Sequence, residues 1–295
     1  MELDSDGGLE FGFVPRKIVT DLQDIGNWKL RADAIETLQT VVGDLGKSDV
    51  YKVEPHLPAL VRFINKLLVD PNFKISLTAI QIFGSFIDKV GDKIKPLVAN
   101  VMPSLVDKLG DSKSAVRTSD VKVLNKLTAI VGPSPVIEGL IAGMKKDNAQ
   151  TREEVLNMFI QTLLKLKSGA KNEFEAAALV PVLARALRDR EARVRQVAIE
   201  ALAVTHSIIG ANRVNSLLDR EDVASDARRQ LADRFTVRAL PHVAFDGSVE
   251  HVVLLPSGAG ASRSSSNDME MAFPARAREV PSAGRRAKRE VPVAG

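Results

Sequence analysis

The sequence predicts an all-α chain: an α-solenoid of about six helical hairpins, followed by a disordered tail. Three observations predict it. Apolar residues recur at helical spacing from about residue 14 to 235, with no convincing strand alternation. Short polar bends interrupt that pattern at intervals. Two segments also superimpose without a gap. Met102-Pro103-Ser104-Leu105, Asp111, Val116-Arg117, Val121 and Leu124 match Val180-Pro181-Val182-Leu183, Asp189, Val194-Arg195, Ile199 and Leu202, each 78 residues from its counterpart.

Taken in order, residues 1–13 are acidic and glycine-bearing and read as a flexible lead-in. They have no basic segment followed by an apolar one, so no signal peptide is expected. Pro15 can open the first helix. The bend aspartates Asp24, Asp70, Asp111, Asp147, Asp189 and Asp222 then follow at spacings of 46, 41, 36, 42 and 33 residues, the period of HEAT-type hairpins. Each precedes an apolar register: Leu30, Ile35 and Leu38; Ile75, Ile80 and Phe83; Thr151, Leu156 and Phe159; Ala227, Ala232 and Phe235 in the weakest copy. The first helix of a unit carries an early proline (Pro58, Pro103, Pro181) that can bend it. The Asp closes that helix and is expected to cap the second. One hairpin cannot bury both of its helices, so every copy needs its neighbours.

The solenoid domain is assigned to residues 14–240 and a low-complexity, basic, disordered tail to 241–295. The tail contains the run Arg285-Arg286-Ala287-Lys288-Arg289; residues 249–255 are either a docking segment or featureless.

Bulk composition narrows the chemistry. At 295 residues and 45% hydrophobic, the chain can bury a substantial core. It has no cysteine, which excludes disulfides, thiolate metal sites and cysteine nucleophiles. No apolar run approaches membrane-spanning length. A net charge of +4 is compatible with an acidic partner and does not single out nucleic acid, which is not expected to bind. Gly46-Lys47-Ser48 lacks the earlier glycine of a phosphate loop, since position 41 is Val. His56, His206, His242 and His251 share no ligand spacing, and no carboxylate pair stands out, so neither metal, cofactor nor catalysis is implied.

Two arginine sets remain. Arg117, Arg195 and Arg228 follow the apolar anchor of their copies and read as an internal ladder paired with bend aspartates. The bend tips Trp28, Lys29, Asn72, Phe73, Lys74, Lys113, Gln150, Arg190 and Arg193 read as one edge of the stack, mostly basic and led by the single tryptophan. Trp28 is either an interface anchor or a staple between the first two helices.

With Asn27-Trp28-Lys29 at the first bend, an aromatic and a lysine at the second and basic bends beyond, residues 14–235 resemble a TOG domain. Phe11-Gly12-Phe13-Val14-Pro15 and Ala34-Ile35-Glu36-Thr37-Leu38 resemble its crescerin and CLASP branches. The resemblance implies a non-enzymatic module that grips αβ-tubulin or microtubules through its bends, in the cytoplasm, cytoskeleton or cilium. It places Trp28 and Lys29 on β-tubulin, Phe73 and Lys74 at the second bend, Lys113 at the third, and Gln150 or Arg152, then Arg190 and Arg193, towards α-tubulin. A lone domain of this kind implies oligomerisation or a further partner, through the tail for instance. The competing expectations are a HEAT scaffold for another protein and a solenoid that binds nucleic acid along the basic edge.

Overall fold

Amphipathic helices with a wide apolar face are stable when that face is covered, and here each covers the next. The computed structural model describes residues 8–166 and 170–252. Among these, twelve helices pair in chain order into six hairpins. The first helices are α1 (Arg16–Gln23), α4 (Leu57–Leu68), α6 (Val98–Lys108), α8 (Pro133–Gly143), α10 (Ala170–Ala186) and α12 (Ala211–Leu218). The second helices are α2 (Trp28–Asp44), α5 (Phe73–Val90), α7 (Ser114–Val131), α9 (Ala149–Lys165), α11 (Ala192–Ile209) and α13 (Ser225–Thr236). A single turn, α3 (Val50–Val53), lies in the first inter-hairpin connection.

The apolar register becomes the core. Ile35, Leu38, Ile75, Ile80, Phe83, Val116, Leu124, Leu156, Phe159, Val194 and Leu202 are all fully buried. The weakest copy is looser, with Ala232 exposed and Phe235 partly so. The second helices α2, α5 and α7 pack in succession, and so do α9, α11 and α13. Between α7 and α9 that close packing gives way to amides: Asn125 Nδ2 donates to Gln161 Oε1 at 2.8 Å.

Three expectations are corrected. Residues 8–13, within the expected lead-in, are not loose: β1 (Leu9–Glu10) pairs antiparallel with β2 (Val14–Pro15). Phe11, at φ 55°, sets its ring centroid 5.5 Å from that of Phe63, the two planes tilted by 34°. Gly12, at φ 82°, sits where a Cβ would lie 2.4 Å from the Lys52 carbonyl oxygen, so glycine is required. At the other end, β3 (His242–Val243) pairs antiparallel with β4 (Val249–Glu250) and packs on α9, so order extends past residue 240. The segment beginning at 249 docks as far as it is described; residues 253–295, with the Arg285–Arg289 run, lie outside the described residues.

The third correction concerns the arginines. Arg117 Nη1 donates to the Asp111 carbonyl oxygen at 2.7 Å and Arg195 Nη1 to that of Asp189 at 2.7 Å. They brace the backbone of their own bends and do not pair with a bend carboxylate; Arg228 does, with Asp219 at 2.8 Å, but not with Asp222. The inter-hairpin ladder is built by Arg31 with Asp70 and by Arg152 with Asp189.

Candidate protein-binding rim

Each bend is shaped by a side chain satisfying backbone donors. Asp24, Asp70, Asp111 and Asp189 each accept from the amide two residues on, at 3.2, 2.9, 2.9 and 2.9 Å. These are turns that precede the second helix, so the expected aspartate cap is not what forms. The caps are asparagines at three bends: Asn27 accepts from Leu30 N, Asn72 from Lys74 N and Asn148 from Gln150 N.

A chain of contacts runs along the bends from first to last. Arg31 pairs with Asp70. Lys113 Nζ lies 5.8 Å from the Phe73 ring centroid. Asn148 Nδ2 donates to the Gly110 carbonyl at 3.0 Å. Arg190 Nη2 donates to the Asp147 carbonyl at 3.0 Å, and Arg188 pairs with Asp222 at 3.0 Å. Turns far apart in sequence therefore form one edge.

The ten sequence-assigned residues divide on this edge. Trp28 is 61% exposed and Phe73 57% exposed, so the staple reading of Trp28 does not hold. Lys29 Nζ sits 5.7 Å from the Trp28 ring centroid, and both Lys29 and Lys113 are exposed. Neither lysine pairs with a carboxylate among the described residues. Lys74 pairs with Glu36 at 2.7 Å, a bond that holds its ammonium above the ordinary lysine range. Asn72 is a half-buried cap.

Beyond the third bend each assigned side chain has a partner within the protein. Gln150 Nε2 donates to Glu154 Oε1 at 3.1 Å. Arg190 faces the Asp147 carbonyl, and Arg193, its side chain 81% exposed, pairs with Glu153 at 2.8 Å. Arg152 is a correction: it is buried, with Nε 2.6 Å from Asp189 Oδ2 and Nη2 2.8 Å from Oδ1. Its Nη1 also donates to the carbonyls of Lys146 and Asp147 at 2.7 and 2.8 Å. The Asp189 hydrogen bond raises the guanidinium further, so it stays charged and held within the stack.

Sequence reasoning missed two rim residues. Ile25 is 82% exposed at the first bend and Val69 55% exposed at the second. Both lie just past the end of a first helix, off its buried stripe, and that position was the available signal. Val69, Phe73, Lys108 and Lys113 line an open cleft of about 610 Å³ between the second and third bends. The first half of the rim thus offers two aromatics, two aliphatic side chains and free lysines, suited to desolvated contact with an acidic protein surface.

Comparison with known proteins agrees with this geometry. The family model described as CLASP N terminal matches residues 25–232. The human protein named TOG array regulator of axonemal microtubules protein 1 is 31% identical over 265 residues, covering 87% of this chain and 15% of that protein. The crescerin-like protein of Caenorhabditis elegans is 23% identical over 248 residues, covering 82% of this chain and 19% of the relative. A solved structure described as "Crescerin uses a TOG domain array to regulate microtubules in the primary cilium" superimposes with a TM-score of 0.74 at 29% identity, covering 84% of this chain and all of that one. The MAST/Orbit N-terminal domain has the same fold, with a TM-score of 0.60 at 22% identity over 74% of this chain and 95% of that one. The match thus spans about a seventh of the length of the first of these relatives. On the family match, the human relative and the bend geometry together, the chain belongs to the TOG-domain family, in its crescerin-like branch.

Proposed function

We propose that this domain binds αβ-tubulin, free or in the microtubule lattice, along its bend rim, and that it is not an enzyme. The observation that carries the reading is Trp28: an indole 61% exposed at the first bend, beside unpaired Lys29, with Phe73 and Lys113 following along the same edge. A large aromatic held in solvent by a rigid scaffold gains little for folding and much as a buried anchor at an interface. The lysines steer an acidic partner and fix its register. In this reading Trp28 and Lys29 meet β-tubulin, Phe73 and Lys74 continue the contact at the second bend and Lys113 at the third, while Gln150, Arg190 and Arg193 lie towards α-tubulin. Arg152 supports the rim from within, and Asn72 acts by capping.

The human relative's name ties that protein to axonemal microtubules and the similar structure is described as acting in the primary cilium, which supports a ciliary or cytoskeletal setting. A single domain holds tubulin weakly relative to a linked set, so other tubulin-binding elements or oligomerisation would complete lattice binding. The test is size-exclusion chromatography with αβ-tubulin. The chain is expected to co-elute with it, and Trp28→Ala to elute alone with an unchanged helical melt. Undiminished co-elution of Trp28→Ala would remove the rim from the account.

A further inference from the structure

The C-terminal hairpin lies at the one place where the second helices do not pack closely in succession. On one side α2, α5 and α7 stack side by side, and on the other α9, α11 and α13 do. The α7–α9 junction is bridged by Asn125 Nδ2 donating to Gln161 Oε1 at 2.8 Å. Gln161 in turn donates its Nε2 hydrogen to the Gly247 carbonyl oxygen at 3.0 Å, in the turn between β3 and β4. The same glycine meets α7: a Cβ there would lie 3.6 Å from Val121 Cγ1. Gly247 has φ 92°, so this turn bonds α9 and comes close to α7 in a backbone shape that other residues rarely adopt. Further along, His251 Nε2 lies 2.9 Å from Asn157 Oδ1, and Val249 packs against the apolar core. Asn157 and Gln161, polar residues of α9, are 8% and 1% exposed.

We propose that the β3–β4 hairpin is a spacer seated across the α7–α9 junction, where it fixes the angle between the first three bends and the last three. A junction of apolar ridges is held by shape, whereas one of amides is held by hydrogen-bond direction and shifts when a partner is withdrawn. Lys165 of α9 also donates to Asn125 Oδ1, and the hairpin adds a further acceptor for Gln161 and lies over α9. Its atoms touch helix flanks and not the bends, yet it sets how both halves of the rim meet one rigid protein surface. This consequence rests on the proposed tubulin reading; the angle itself does not.

The chain has no cysteine, so Thr40→Cys in α2 and Arg229→Cys in α13, both exposed and away from the bend tips, give unique spin-label sites. The distance between them is measured by double electron–electron resonance in the full chain. It is compared with a chain in which residues 242–252 are replaced by a glycine–serine stretch of equal length. The replacement is expected to shift and broaden the distance distribution while the helical melt stays cooperative. Gln161→Ala is expected to do the same to a lesser degree, and it carries the test if the replacement fails to fold. An unchanged mean and width in both variants would overturn the spacer. In the tubulin titration the hairpin variants are expected to lose about tenfold in affinity, the scale of a lost preorganised fit. If the unaltered chain does not bind tubulin, the functional reading fails and the distance result still decides the spacer. Broadened distances with full tubulin affinity would confine the hairpin to architecture and refute its part in fit.

Discussion

The first and last halves of the rim are built from one repeat and differ in how many basic residues they leave without a carboxylate partner, although Lys74 pairs with Glu36 much as Arg193 pairs with Glu153. At the first three bends Trp28, Phe73, Lys29 and Lys113 stand in solvent, and the lysines lie over aromatic rings. At the fourth and fifth, Arg152 is buried against Asp189, Arg193 pairs with Glu153, and Arg190 faces the Asp147 carbonyl. The residue four past the helix cap shows why. Arg31, Arg117, Arg152 and Arg195 all occupy it and all point back into the stack, so its charge serves cohesion. Tip residues one or two past the cap are available to a partner unless a neighbouring carboxylate takes them. A count of basic residues along an edge therefore overstates the charge that edge presents.

The largest way to break this contrast is Arg152→Ala. Removing one member of a buried pair leaves Asp189 uncompensated and is expected to lower stability by about 3–5 kcal/mol, measured by urea denaturation. A loss of binding without a loss of stability would return Arg152 to the rim. Next is Trp28→Ala, expected to weaken tubulin binding by about 2–4 kcal/mol with little change in the melt, because the indole is mostly exposed. The Lys113→Ala and Phe73→Ala pair sharpens the first half. A double-mutant cycle in urea denaturation is expected to show coupling of about 0.5–1 kcal/mol, the size of an exposed cation–π contact.

A separate effect is a slope of stability against pH. Asp120 in α7 is fully buried with neither carboxylate oxygen hydrogen-bonded among the described residues, and burial raises it well above the carboxylate range. The folded state then keeps its proton longer than the unfolded one, so stability falls as pH rises from about 4 towards Asp120's raised folded value. Asp189 is the mirror case. Burial alone would raise it, but the Arg152 hydrogen bond and neighbouring donors outweigh that and hold it low, so its contribution is lost as pH falls through the acid range. Asp120→Asn is expected to flatten the first slope and leave the second, read from denaturation midpoints across pH.

The solenoid was legible because the core repeats. Val116, Leu124, Val194 and Leu202 share a register and are buried, and the same spacing located the bends. The two hairpins were not legible, since strands of two residues are too short to show alternation, and they are held by contacts with Phe63 and α9. In the site, the exposed Trp28 followed from its position. The Lys74–Glu36 pair did not, because it exists only when α2 and α5 stack. The burial of Arg152 is legible in one register of the repeat and hidden in the other. Placed by the residue after its anchor, Thr151, it falls in register with Arg117 and Arg195; placed by the shortened bend, it looked like a tip.

The central claim is that the first three bends carry the interface while the later ones hold the stack together. Titrating αβ-tubulin in parallel against Trp28→Ala/Lys113→Ala and against Arg190→Ala/Arg193→Ala tests it most directly. The first pair is expected to lose about a hundredfold or more in affinity, and the second to stay within about fivefold of the unaltered chain. The reverse order, with the arginine pair abolishing binding and the Trp28 pair retaining it, would contradict the account.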